Sequence, residues 1–329
     1  KEYRRQRQMC IRDRGYDKEA LDKYNKDNGA SYEPLPPSAF KLADAEGNEL
    51  SASEGIRVPA GDFSAKIMVK VGQLNSKDFP DSKKYAIPLS ITGASNYSLI
   101  PSQRSAILLL NRSILSSVAK VSGGEGIRIK PVGMHTKAEW TIQMSAIYSS
   151  LTRSNLTTAY LSNGTGGAFY TRISSTAGIQ VKNGRDGDDT WTQMPLQAGK
   201  WLHITYVHKD KKTTVYVNGK VQKVFENSAN TCVENSMIVV GNSGYRNDYL
   251  REIRLWDKAL TESEINDYLY LPMDPATPHL ISYLPLSKEM ETKDLKAPAG
   301  TENVTTKARI EYVENVKFPA DELVIVNQE

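Results

Sequence analysis

Gly199–Lys220 reads GKWLHITYVHKDKKTTVYVNGK, two β-strands with the turns that shape them. Leu202, Ile204 and Tyr206 alternate with His203, Thr205 and Val207. That period of two, carried by Val, Ile, Thr and Tyr, belongs to a half-buried strand rather than a helix. Lys209-Asp210-Lys211-Lys212 interrupts the pattern, which resumes through Val215, Tyr216 and Val217. Asn218-Gly219 then supplies a second turn, because both residues tolerate the positive φ that a tight hairpin needs.

The same signature extends in both directions. IRIKP (127–131), EWTIQMSAIYSS (139–150), TTAYLSN (157–163), GAFYTRIS (167–174) and GIQVKN (178–183) precede the hairpin, and MIVVGN (237–242) and YLREIRLWD (249–257) follow it. Many short strands at regular spacing predict a two-layer sandwich. The one helical interruption is Ala259–Tyr268, where Thr261 and Glu264 have the spacing of a capping box.

Upstream, Tyr16–Asn28 is predicted to form a short helix, with Ala20, Leu21 and Tyr24 at helical spacing and Gly29 as its stop. The prolines of YEPLPPSAF (32–40) enforce an extended course. Strands are then expected at 65–71, at 85–91 with Pro88 marking an edge or bulge, and at 105–110 as a buried strand. The Ser- and Gly-rich stretch 112–126 is expected to be a linker.

A chain of 329 residues has room for two ordinary domains. No apolar run approaches the roughly 20 residues that cross a bilayer as a helix. Of 42 basic and 38 acidic residues, the first fourteen positions hold six and two, so the rest balances at 36 of each. The body therefore lacks the basic excess of a nucleic-acid binder. The opening KEYRRQRQMCIRDR resembles translated adapter DNA and is expected to be a non-native segment. With Cys10 inside it, Cys232 stands alone, and no Cys/His cluster suggests zinc.

LDKYNKDNGASYEPLPPSAFKL (21–42) and KKYAIPLSIT (83–92) resemble an uncharacterised domain at the N-terminus of many Bacteroidetes surface proteins. That resemblance implies a secreted or cell-surface protein, an outer-membrane lipoprotein attached to a glycan-utilisation system, with the domain's first strands cut off here. The 199–220 hairpin, IRLWDKALTESEIND (253–267) and EWTIQMSAIY (139–148) resemble the laminin-G-like, concanavalin-A-like jelly roll. Carbohydrate binders, protein binders and modules without a known ligand all use that fold. The expected architecture is all-β. An N-terminal β-sandwich-like domain with one short helix (15–111, truncated) precedes a 112–126 linker, an antiparallel jelly roll (127–320) and a 321–329 tail.

Catalysis by paired carboxylates needs two acids about 5–5.5 Å apart in a retaining glycosidase. No Glu-x-Asp or Glu-x-x-x-Glu pattern falls on a predicted central strand; Glu139 stands alone and Glu252 sits between Arg251 and Arg254. His135, His203, His208 and His279 show no metal-ligand spacing, and His203 and His208 are expected to be partly exposed on opposite sides of their strand. No P-loop, GxSxG or dinucleotide fingerprint appears in context. The protein is therefore expected not to be an enzyme.

Sugars present a C–H face above a rim of hydroxyls, so a flat aromatic ring beside polar side chains suits them. Three such groups stand out: Trp191 after Asp186, Asp188 and Asp189; Tyr170 with Arg172; and Asn242, Tyr245, Asn247, Asp248 and Tyr249. Asp186 and Asp188, with Asn183 near, are also candidate calcium ligands, since closely spaced oxygens suit that ion. At the place where the jelly-roll family often carries an Asp for a cation, this chain has Arg251. Five Asn-x-Ser/Thr sequons (Asn96, Asn111, Asn155, Asn163, Asn303) are read as coincidence in a bacterial chain. Glycan is the expected ligand, with a surface glycosidase and a transporter as expected partners. A protein-binding module and a glycoside hydrolase with an unrecognised site are the alternatives.

Overall fold

The computed structural model describes residues 9–11, 14–50, 56–58, 64–94, 98–124, 126–132, 139–151, 153–160, 169–182, 190–226, 237–240 and 245–327. It divides into two units, 1–112 and 113–329.

The first unit runs β1 (Met9–Ile11), β2 (Arg14–Tyr16), α1 (Lys18–Asn28), β3 (Tyr32–Pro34), β4 (Phe40–Ala43), β5 (Ile56–Val58), β6 (Met68–Val71), β7 (Lys84–Ile91) and β8 (Ser105–Leu109). The helix forms where its signals predict. Asp17 accepts from Ala20 N at the start, and Gly29 at φ 59° ends it. β7 is the hub: β3 and β2 pair with successive parts of it, and β8 pairs along it. Pro88 thus lies in a central strand rather than at an edge. Its partner in β8 is Ile107, and its carbonyl accepts from Asp17 N. The missing N–H therefore points into the gap between the end of β3 and the end of β2. Tyr85 and Ile87 pack with Phe40 and Val69 of the β4–β6 pair, the sandwich-like part of this unit. β8 corrects the expectation of a buried strand: Leu108 and Leu109 are exposed, because its outer edge has no neighbour among the described residues.

The second unit runs β9 (Ile114–Gly123), β10 (Ile127–Ile129), β11 (Trp140–Ile147), β12 (Arg153–Tyr160), β13 (Phe169–Ser174), β14 (Gly178–Lys182), β15 (Trp201–Lys209), β16 (Lys212–Val217), β17 (Lys220–Glu226), β18 (Met237–Val240), β19 (Tyr245–Trp256), α2 (Glu262–Asp267), β20 (Leu280–Leu284), β21 (Val304–Thr305) and β22 (Arg309–Phe318). Two antiparallel sheets face each other. One has the order β14-β13-β12-β18-β10-β21; the other is β17-β16-β15-β11-β19-β9-β22, with β20 beside β19. Trp140, Ile142, Met144, Ile204, Tyr206 and Phe169 are among the residues filling the space between them.

Both predicted turns form. Asp210 and Lys211 have φ of 50° and 61°, and Asn218 and Gly219 have 50° and 75°, the positive values of a two-residue hairpin. A Cβ at Gly219 would also lie 2.0 Å from Asn266 Oδ1 of α2, so that side chain would have to shift. The capping box is present as predicted, with Thr261 and Glu264 bonding reciprocally.

Two boundaries differ from expectation. The 112–126 stretch is not a linker, because Ile114–Gly123 forms β9 between β19 and β22. Its serines concealed the strand, although Ile114, Val118, Ala119 and Val121 are buried. Part of the expected 321–329 tail lies along the β22 edge, where Lys317 N donates to Val324 O and Val326 N to Asn315 O.

Candidate functional site

The outward faces of the two sheets differ. Over the eight-stranded sheet lie two apolar clusters. One gathers Val207, Trp256, Leu260, Ile265 and Met273; the other gathers Trp201, Ile147, Val316 and Phe318. Over the outward face of the six-stranded sheet there is no buried cluster among the described residues.

On that open face the register builds a row. Arg172 of β13 pairs with Gln180 of β14, and Gln180 bridges Trp191. Their neighbours Thr171, Ile173, Ile179 and Val181 point into the core, so strict alternation puts the row on the other side. Residues 190–196 are laid along β14 by local bonds. Thr192 N donates to Ile179 O, the Thr192 hydroxyl accepts from Ile179 N, and Leu196 N donates to Ser175 O. Gly178, at φ 79°, permits the close approach: a Cβ would meet Thr192 Oγ1 at 2.2 Å and Met194 O at 2.4 Å. Trp191 is half-buried, and its carbonyl accepts from Lys223 Nζ at 2.7 Å. Gln180 is buried, donates to Thr190 Oγ1 at 2.8 Å, and has no donor for its Oε1. The row thus joins a flat ring, an amide and a guanidinium.

Beneath the covered face lies a buried polar layer. Glu252 accepts two bonds from Arg254 and the single proton of the Tyr283 hydroxyl, which lies 3.0 and 3.2 Å from its two oxygens. Arg254 also donates to the carbonyls of Tyr268 and Leu271, and Arg251 to that of Tyr270. Arg251 stacks 3.9 Å from the Phe318 ring. These groups pin the chain after α2 onto the sheet. Glu252 is a structural knot at a bulged residue with φ 55°; its carboxylate is already occupied. Next to it, His203 holds Ser145 Oγ at 2.7 Å. Burial first, then the Arg254 and Arg251 charges, push the His203 pKa well down, so the ring is neutral. His203 and His208 are both buried, which corrects the expectation of partial exposure. His208 lies flat on Trp140 inside the sandwich, and burial lowers its pKa as well.

The sequence-predicted groups separate in space. Tyr170 and Arg172 occupy alternate positions of β13, as expected, and Trp191 joins Arg172 through Gln180. Tyr245 and Asp248 belong instead to β19 of the other sheet. Asp248 is buried, and its carboxylate accepts from Ser149 N, Ser149 Oγ and Arg246 N. It ties a bulge at Asn247, φ 61°, with its carboxylate engaged inside the fold. Asn183, Asp186, Asp188, Asp189 and Asn242 lie outside the described residues. Among the described residues no group of three or more His, Cys, Asp or Glu side chains gathers as a metal site. No helix among them is long and apolar enough to cross a membrane. Sequence reading missed Gln180, although its alternation with Ile179 and Val181 was the available signal.

Residues 122–266 match the family model of the concanavalin A-like lectin/glucanases superfamily, laminin-G type, and residues 14–98 match a model described as an N-terminal domain. No curated protein matches the chain. A crystal structure of a proposed carbohydrate-binding protein from Bacteroides ovatus is similar over 96% of this chain and 89% of that one, with TM-score 0.57 and 19% identity. A SAP-like pentraxin from Limulus polyphemus matches over 61% of this chain and 94% of its own, with TM-score 0.38 and 14% identity. Residues 122–266 thus form a concanavalin A-like domain, preceded by a region, 14–98, that matches an N-terminal domain model.

Proposed function

We propose that the protein is a non-catalytic carbohydrate-binding protein at the surface of a bacterium, working beside a glycosidase and a transporter in glycan utilisation. The observation that carries this is the row Trp191–Gln180–Arg172 on the open face of the six-stranded sheet. An aromatic plane next to hydrogen-bonding groups suits a sugar's C–H face and hydroxyl rim. The Bacteroides ovatus relative, described as carbohydrate-binding and alike in fold along almost the whole chain, supports it. A binding role without hydrolysis is supported by the strands of that sheet, which contain no Asp or Glu, whereas glycoside hydrolysis needs two carboxylates flanking the bond.

The test is a glycan array on the whole chain, repeated with Trp191→Ala and with a chelator. Loss of a stacking ring is expected to weaken binding about tenfold. Unchanged binding by Trp191→Ala sinks this site, and silence across all glycans sinks the reading. Loss with chelator would bring the Asp186–Asp189 loop and calcium into the site.

Protein binding is the second reading, favoured by one feature. Leu115, Val324, Ile325 and Val326 are exposed near one another along the β22 edge, the kind of apolar strip that partner proteins cover. Retention of a protein ligand, lost in Ile325→Lys and kept in Trp191→Ala, would select it.

A further inference from the structure

Two buried arginines of β19 lie beneath the chain that follows α2, and they are engaged unequally. Arg254 sets its side-on fork, Nε and Nη2, on Glu252 Oε2 and also donates to the carbonyls of Tyr268 and Leu271. Arg251 is 1% exposed and donates once, from Nη1 to Tyr270 O at 3.2 Å. Its own side-on fork, Nε and Nη2, meets no hydrogen-bond acceptor among the described residues. Glu252 Oε1 stands 3.6 Å from Nη2, an ion pair beyond hydrogen-bond reach.

A third donor of the same kind is close by. Trp201 is 3% exposed, and its Nε1 likewise has no acceptor among the described residues. Register puts the two side chains on one face of the sheet: Ser145 of β11 pairs with Arg251, and Ile147, two residues on, pairs with Trp201. Both lie against Phe318, the guanidinium carbon 3.9 Å from its ring centre and the Trp201 ring 5.1 Å from it.

Charge points the same way. Among the described residues the two arginines share one carboxylate, Glu252, and the neighbouring His203 ring is neutral. The layer therefore carries one positive charge in excess. Burial pulls the Arg251 pKa below the ordinary arginine value even with Glu252 opposing it. Buried N–H groups and buried charges are nearly always paired, because nothing else replaces the water they lose.

We propose that Arg251 Nε and Nη2, with Trp201 Nε1, bind a small inorganic anion, a halide such as chloride, enclosed beneath the chain after α2. The size follows from the burial. None of the three nitrogens reaches the surface, so the acid group of a polymer has no path to them, whereas a monatomic ion needs only donors around it. A guanidinium fork supplies two such donors already aligned. The ion neutralises Arg251 and braces the sheet against the chain that covers it. This site is separate from the open face of the six-stranded sheet and does not rest on the glycan reading.

The experiment is thermal unfolding of the intact chain followed by tryptophan fluorescence, since all four tryptophans (Trp140, Trp191, Trp201, Trp256) lie in the second unit. Sodium chloride or bromide is titrated against sodium gluconate at constant ionic strength, so that screening is equal in every arm. An ion that binds only the folded chain raises the midpoint, and about 3 °C in halide over gluconate is expected. Arg251→Met should abolish that rise. Trp201→Phe keeps a ring, removes one donor and should raise the halide concentration required about tenfold; it decides alone if the first variant does not fold. Lys209→Gln, an exposed cation of the same sheet, should keep the rise. In crystals grown with bromide, anomalous scattering should place the ion at the Arg251 fork. Equal midpoints in halide and gluconate overturn the proposal, as does a rise that Trp201→Phe leaves untouched. Water alone at the fork overturns it as well. Bromide there without any rise in solution is an adventitious ion only, and has the same consequence.

Discussion

The two sheets of the second unit put similar polar residues to opposite uses. On the eight-stranded sheet, Arg251, Glu252, Arg254, Gln143 and His203 are sealed beneath α2 and the chain that follows it. On the six-stranded sheet, Arg172 and Trp191 remain half-exposed. A buried charge needs partners, because losing water costs several kcal/mol per ion. The buried Arg254 is therefore matched to Glu252 and two carbonyls, and Arg251 to the Tyr270 carbonyl, so replacement of Arg254 should register as stability. Side chains on the open face lose little water, so their replacement should register as ligand affinity.

Substitutions that separate these readouts break or sharpen the contrast. The largest effect is expected from Glu252→Ala, which leaves Arg254 buried without its counter-charge. A loss of about 3–5 kcal/mol, read by chemical denaturation, is the expected size. A loss below about 1 kcal/mol would mean the knot is dispensable.

Gly178→Ala comes next. It demands positive φ of an L-residue and drives a Cβ into Thr192 and Met194. About 2 kcal/mol of destabilisation is expected, together with weaker glycan binding as the 190–194 crossing is displaced. It is the one change predicted to move both readouts.

Acidification is expected to produce a graded loss. His203 and His208 have folded pKa values below the ordinary 6.5. Below that pH the unfolded chain takes up protons that the folded one refuses. Stability is thus full above about pH 6.5 and declines as the pH falls, by at most about 1.4 kcal/mol per pH unit for each ring. Melting temperature measured from pH 7 to 5 should fall, and His203→Gln should flatten the slope. A slope unchanged by that substitution would remove His203 from the account.

The smallest stability effect belongs to the open face. Trp191→Ala and Arg172→Gln should each change stability by no more than about 0.5 kcal/mol while glycan retention drops. If either lowers stability as far as Glu252→Ala does, the division of labour between the sheets is wrong.

Much of the fold was legible because its signals are local. Thr261 with Glu264, Gly29 after α1, and Asn218-Gly219 each act within four residues, and each formed where the chain predicted. Strand alternation likewise named the layers. β9 was hidden because serines weaken the apolar alternation, and the Leu108–Leu109 run read as buried although an edge position leaves it exposed. Asp248 read as a candidate sugar contact and Glu252 as a lone carboxylate between arginines, since nothing within a few residues announces Ser149 or Tyr283 as partners.

By itself the sequence determined the class of structure, the hairpins, both helix ends and the shortage of any catalytic pattern, all of which depend on neighbours along the chain. Tertiary structure alone decided which polar residues were sealed and which were left facing outward. Arg172 and Trp191 are 19 positions apart and meet only through the register of β14. Alternation states that a strand has two faces, but pairing and overlying chain decide which of them water reaches.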